Sequence, residues 1–243
     1  MSILQAAVEQ LPLLAAALPG QALSPETLVA PTWTLYVATG INALSGAAFA
    51  ARRGFDFVGV IGLALAQGLG GLMLMSILLR LGIPFVLTDA VYIMVALAAG
   101  LAGFFFAAQI SQALRFALVI DALAMGLFVS IGAGSSLLVA LNPISAVFVG
   151  VITAIGGLIL RDVLAGSAPM VLRPGVLVGV VALAGSLLFI ALVEVAGTTI
   201  AQAQGVTVLF VTVLRTLAVL LNWRTGEATK LADRLGSYRE GRR

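Results

Sequence analysis

The sequence predicts an all-α integral membrane protein, with seven transmembrane helices built as two inverted three-helix repeats plus a seventh helix. Three observations predict it. The chain of 243 residues is 61% hydrophobic and 9% charged, whereas a soluble domain carries about 25% charge. A globule of that composition has too little polar surface to face water. In lipid, only helices and closed barrels satisfy their own backbone. The apolar stretches run for about 20 residues without strict alternation, which suits spanning helices and not barrel strands. Arginines punctuate those stretches, and the chain resembles itself at an offset of 86.

Residues 1–31 form an extracytoplasmic extension. "ILQAAVEQLPLLAAAL" is apolar but short, interrupted by Glu9 and Pro12, and without the basic n-region of a signal peptide. An interfacial helix is the favoured form; a cleaved signal and an eighth span stay open. The membrane domain covers 32–222, with spans at about 32–51, 57–79, 85–107, 116–136, 143–165, 172–195 and 199–222. Arg52 and Arg53 follow span 1, Arg80 follows span 2, Arg115 precedes span 4 and Arg173 follows the span 5 region. On alternating sides, one face collects all of these except Arg80, together with the tail. The positive-inside bias makes that face cytoplasmic, with the N-terminus outside and the C-terminus inside. A bacterial plasma membrane is the expected location.

The tail, 223–243, holds six Lys/Arg and three Asp/Glu, so the net charge of +3 for the chain is a tail effect. Nucleic acid is therefore not an expected partner. Leu231, Leu235 and Tyr238 share one helical stripe, so the tail is either a cytoplasmic helix on anionic headgroups or a plain solubilising segment. The chain has no Cys and no His. Disulfides, thiol chemistry and histidine relays are excluded, and no metal cluster, catalytic constellation or cofactor is expected.

The repeat carries most of the functional information. Gly46-Ala47 falls on Gly132-Ala133, Gly70-Gly71-Leu72 on Gly156-Gly157-Leu158, and Asp56-Phe57 on Asn142-Pro143. Asp56 and Asn142 both look like N-caps. With one residue of slippage, "PFVL" at 84–87 falls on "PMVL" at 169–172, and Gly100 falls on Gly185. Each repeat has three spans, so the second enters the membrane from the opposite side. Inverted repeats of this kind place a permeation path at their interface, lined by broken helices. The paired glycines predict kinks in spans 2 and 5, because Gly weakens a helix by about 1 kcal/mol relative to Ala. Freed carbonyls there could face an ion. Close helix packing is the competing explanation, and the symmetric pairing tips the balance towards a functional break.

Arg161 and Asp162 follow the second glycine pair. Neighbours on a helix point about 100° apart, so each is expected to need its own partner. On a continuous helix, Arg161 lies about 27 Å from Pro143, near the headgroups. A break would hold it deeper, where a charge marks function. Asp121, in the first turn of span 4, is a candidate partner. Arg215 lies about 10 Å inside span 7 and is expected to snorkel. Asp89 and Glu194 fall at the outer ends, as solvated loop residues or an acidic mouth.

"ALSGAAFAARRGFDFVGV" (43–60), "IDALAMGLFVSIGA" (120–133) and "GVITAIGGLILRDVLAGSAPMVLR" (150–173) resemble the bacterial branch of the trimeric intracellular cation (TRIC) channels. The resemblance covers about 34–222. It implies a homotrimer with a pore inside each protomer, passing monovalent cations such as potassium along kinked second and fifth helices. By that resemblance Gly70, Gly71, Gly156 and Gly157 are the kink glycines, Arg161 and Asp162 the charged pair, and Asp121 the acid opening the second half. The first half departs from the pattern. Met75-Ser76 stands where Arg-Asp is usual, Leu35 where the acid is usual, and Ser135 where a Lys is common. Ser76 still offers a hydroxyl to a passing ion. The same family is also labelled as glycine transporters, which makes a small-solute carrier the alternative, with Arg161 holding the substrate carboxylate.

Overall fold

A computed structural model describes residues 32–112, 114–173, 175 and 177–223, with side chains described outside 107–117. The expectations for residues 1–31 and for the tail from 224 onward lie outside the described residues. Within them the chain forms α1 (Thr32–Arg52), α2 (Phe57–Leu78), α3 (Ala90–Gln112), α4 (Leu114–Leu138), α5 (Pro143–Leu164), α6 (Val178–Glu194) and α7 (Ile200–Leu220). Five of these contain stretches long and apolar enough to cross a membrane. The segments Ala90–Phe106 and Val178–Glu194 are shorter apolar helices. Large apolar side chains stand exposed on many faces, among them Val58, Met94, Phe105, Ile144 and Leu209. That surface suits hydrocarbon and not water. The protein is an integral membrane protein.

Local chemistry explains the helix boundaries. Asp56 accepts from Gly59 N at 2.8 Å and Asn142 from Ser145 N at 2.9 Å, so both expected caps form. Thr199 and Gln202 make a reciprocal capping box at the start of α7. Spans 3 and 6 start later than hydropathy predicts. Phe85–Thr88 is a separate helical turn, and Asp89 then adopts extended φ/ψ and caps Val91 N. Met170–Leu172 is a 3-10 turn, after which Arg173 is extended. Arg173 precedes Pro174, and a residue before proline disfavours the helical region.

Five helix ends share one motif. Gly54, Arg80, Ala140, Gly166 and Asn222 all have positive φ. In each case the next residue donates to the carbonyl five back: Phe55 to Ala50, Leu81 to Ser76, Leu141 to Ser136, Ser167 to Asp162, and Trp223 to Ala218. These are Schellman ends, which normally select glycine for the left-handed residue. Gly54 and Ala140 are 86 apart, as are Arg80 and Gly166.

The helices form two trios about a central crossing. α1 and α3 pack with α2, α4 and α6 pack with α5, and α2 packs directly on α5. α7 lies against α4 and α6, and α1 also meets α4.

Candidate functional site

The site begins at the α2–α5 crossing. The φ/ψ of both helices stay helical through Gly70-Gly71 and Gly156-Gly157. The expectation of an unwound break is therefore corrected: no carbonyl is freed at either pair. The physical reason is proximity. A Cβ on Gly71 would lie 2.1 Å from the Thr153 carbonyl oxygen, and one on Gly157 would lie 2.3 Å from that of Gln67. A Cβ on Gly70 would meet Leu160 Cδ1 at 2.6 Å, and one on Gly156 would meet Leu74 Cδ1 at 2.6 Å. Every contact has a partner 86 residues on. The glycines let two backbones touch, as small residues do between membrane helices.

The same reciprocity extends outward. Gly46 abuts Ala64 and Gln67 of α2, and Gly132 abuts Gly150 and Thr153 of α5. Gly100 abuts Ile61 and Ala64, while Ser186 donates to Val147 O and abuts Gly150. Gly100 thus corresponds to Ser186, and the slippage expected to pair it with Gly185 does not persist past the turns at Pro84 and Pro169.

Beside the crossing, α1, α4, α5, α7 and the segment after α5 line an open cavity of about 690 Å³. Five arginines line it: Arg52 and Arg53 from the end of α1, Arg161, Arg173, and Arg215 from α7. Asp121 and Asp162 line it too. Arg161 and Asp162 are 5% and 2% exposed. They do pair with each other, against expectation. Arg161 Nε and Nη2 both donate to Asp162 Oδ1, at 2.9 and 2.6 Å. The long arginine arm folds sideways and closes the angle that Cβ directions impose. Arg161 Nη1 donates to Gln67 Oε1 at 3.0 Å, and its guanidinium lies 3.9 Å from the centroid of the Phe49 ring, a cation–π contact. Met170 N donates to Asp162 Oδ2 at 2.7 Å. Arg161 is therefore a clamp joining α5, α2 and α1.

Asp121 is partly buried in the same cavity, within electrostatic reach of Arg215 and Arg161. It accepts no hydrogen bond from a described residue, and the one ion pair among the described residues is Arg161–Asp162. Arg215 does not snorkel. It is 6% exposed, and its Nε and Nη1 have no partner among the described residues. Ser76 is buried, donates to Leu72 O at 2.9 Å and does not line the cavity. Asp89 is half-buried at its loop end, and its carboxylate takes the Tyr36 hydroxyl and Val91 N. Among the described residues no group of three or more acids could hold a metal ion.

Sequence reasoning passed over Gln67 and Arg215 as site residues. Both signals were present: an amide four residues before the second glycine of its pair, and an arginine well inside an apolar span, the type of residue that marks function in membranes.

Comparison with known proteins agrees with this geometry. A UPF0126 membrane protein of Deinococcus radiodurans is 32% identical over 130 residues, which are 54% of this chain. The chain spans only 60% of that relative's length. A chain from a study of conductance through TRIC cation channels matches at 32% identity and TM-score 0.75, covering 79% of this chain and 94% of that one. The TRIC trimeric intracellular cation channel orthologue from Rhodobacter sphaeroides matches at 30% identity and TM-score 0.69, covering 76% and 95%. The family model described as "Glycine transporter" matches twice, over 32–108 and 118–194, each an 86-residue shift of the other. The chain belongs to that family, the family of the bacterial TRIC channels.

Proposed function

We propose that this protein is a monovalent cation channel, permeable to potassium, with its path inside each protomer of a homotrimer. The observation that carries the reading is the match of nearly the whole membrane domain to solved TRIC cation channels at about the same identity as its relatives. The cavity beside the α2–α5 crossing is the inner part of the path, with Asp121 as its unpaired carboxylate. Gly70, Gly71, Gly156 and Gly157 shape the path by holding the two helices together. Arg161 and Asp162 form a neutral pair on its wall, and Ser76 supports α2 from within.

The two matched segments are inverted repeats in this reading, and all seven helices cross. α1 lines the cavity with its second half, from Ile41 to Arg52, whereas its counterpart α4 lines it near its start, from Leu118 to Asp121. This supports equivalent helices running in opposite directions. The arginines at this end make it cytoplasmic by the positive-inside bias, which places the N-terminus outside. The trimer follows from the likeness to the Rhodobacter channel.

One observation weighs against the carrier reading, in which Arg161 holds a carboxylate: three of its five N–H donors, on Nε, Nη1 and Nη2, already go to Asp162 and Gln67.

The test is electrical. Purified protein in a planar bilayer, with potassium the sole permeant cation, is expected to give unitary current steps. Saturable uptake of labelled glycine into proteoliposomes without such steps would overturn the reading.

A further inference from the structure

Arg215 sits on α7, outside both matched segments, yet it enters the cavity that they form. Its guanidinium is buried, and two of its nitrogens have no partner among the described residues. Arginine stays protonated in proteins, so this is a permanent positive charge. A buried guanidinium left unanswered is strongly unfavourable. Arg161 cannot answer it, being a cation itself. Asp162 does not: its charge is answered by Arg161, its Oδ2 accepts from Met170 N, and it makes no ion pair with Arg215. Asp121 is the one carboxylate on the cavity wall with no hydrogen bond from a described residue, and it makes no ion pair with Arg215. Both line the same cavity and lie within electrostatic reach of each other without an ion pair between them.

We propose that Arg215 is a tethered cation, held opposite Asp121, that competes with permeant cations for that carboxylate and so limits both conductance and cation preference at the inner end of the path. This rests on the channel reading above. A potassium ion beside Asp121 meets a guanidinium already attracted to the same oxygens. The arginines at the rim, Arg52, Arg53 and Arg173, raise the positive potential further. The remaining cavity pair, Arg161–Asp162, is neutral. With the first half of the chain carrying Met75 and Ser76 where the second half has Arg161 and Asp162, Asp121 is, among the described residues lining the cavity, the carboxylate without an ion pair.

The test compares the full-length wild type with Arg215→Gln and Arg215→Lys in planar bilayers, reading unitary conductance and the reversal potential in a KCl gradient. Arg215→Gln is expected to raise potassium conductance about twofold or more, the Boltzmann weight of one like charge at roughly 8 Å in water, and to move the reversal potential towards that of potassium. Arg215→Lys is expected to stay near the wild type, because it keeps the charge. Equal conductance and selectivity in wild type and Arg215→Gln would overturn the proposal, as would Arg215→Lys behaving like Arg215→Gln. Should Arg215→Gln leave the Asp121 charge too poorly compensated for the protein to fold, the double variant Asp121→Asn/Arg215→Gln removes both charges together. It is expected to conduct with little preference for potassium over chloride, and retained preference would overturn the role of Asp121. Current in the wild type that no Arg215 substitution alters sinks this inference alone. Absence of current from the wild type sinks the channel reading and this inference with it.

Discussion

Replacing Gly71 with alanine tests why the glycines are there, because two explanations predict opposite signs. If the residue served only to loosen its helix, alanine would stabilise the protein by up to about 1 kcal/mol through helix propensity. The crossing predicts the reverse. The added Cβ would lie 2.1 Å from the Thr153 carbonyl oxygen, whereas carbon and oxygen pack at roughly 3.3 Å. Backbone cannot rotate aside, so α2 and α5 must part by about 1 Å. Overpacking of this kind lies at the upper end of about 1–3 kcal/mol. After the propensity gain, a net loss of about 2 kcal/mol remains. For a chain of this size, that lowers the melting midpoint by about 4 °C or more. Gly157→Ala is expected to behave alike, since its Cβ would meet the Gln67 carbonyl oxygen at 2.3 Å. Gly70→Ala and Gly156→Ala press only on the ends of Leu160 and Leu74, which can swing, so their losses are smaller. Gly62→Ala and Gly205→Ala meet nothing within 4 Å and are expected to be neutral or stabilising. The double variant Gly71→Ala/Gly157→Ala should cost less than the sum, because helices already parted for one methyl admit the second. Thermal unfolding of purified protein in one detergent, followed by size-exclusion fluorescence, measures the series. Gly71→Ala and Gly157→Ala melting at or above the wild type would refute the packing argument.

Asp162→Asn leaves the buried Arg161 without its counter-charge, and a loss of about 3–5 kcal/mol is expected, read as a failure to purify as a monodisperse species. Gln67→Leu removes a single acceptor from Arg161 Nη1 and should cost about 1–3 kcal/mol, measured by the same melting assay. Ala140→Gly relieves a left-handed residue with φ 58° at a Schellman end. It is expected to raise the midpoint by a few degrees, corresponding to about 1 kcal/mol. Thr199→Ala removes the capping box of α7 and should lower stability by about 1 kcal/mol, with Thr199→Ser recovering most of it.

The helix starts were legible because caps are local: Asp56 and Asn142 each satisfy an amide three residues on, a fact written in adjacent letters. The repeat was legible for the same reason, since matched punctuation survives in order. The role of the glycines was not. Their positions could be read, but whether a glycine loosens its own helix or admits a neighbour depends on what lies opposite, and Thr153 and Gln67 are distant in the chain. The Arg161–Asp162 pairing was misjudged because Cβ directions were used for a side chain long enough to double back. Arg215 was read from its depth, which is a single-helix quantity. Its partner-poor state depends on the wall that α1, α4 and α5 build around it.

The reciprocal crossing has the form of a two-fold contact within one chain: position i on one helix touches j on the other, and the counterpart of j touches the counterpart of i. Such a surface is self-complementary. Its geometry is satisfied by two copies of one half, as in a dimer of separate three-helix chains. Covalent fusion then removes the need for the halves to stay identical wherever backbone does not meet backbone across the axis. The chain displays that freedom a little more than one turn past the glycines. Met75 and Ser76 occupy the places of Arg161 and Asp162, and Arg161 reaches across to Gln67 with its side chain alone, while the glycines between which the axis passes are the same on both sides. Shape is held where the backbones touch and charge varies beyond it, so one half can acquire its chemistry without disturbing the joint that holds both halves together.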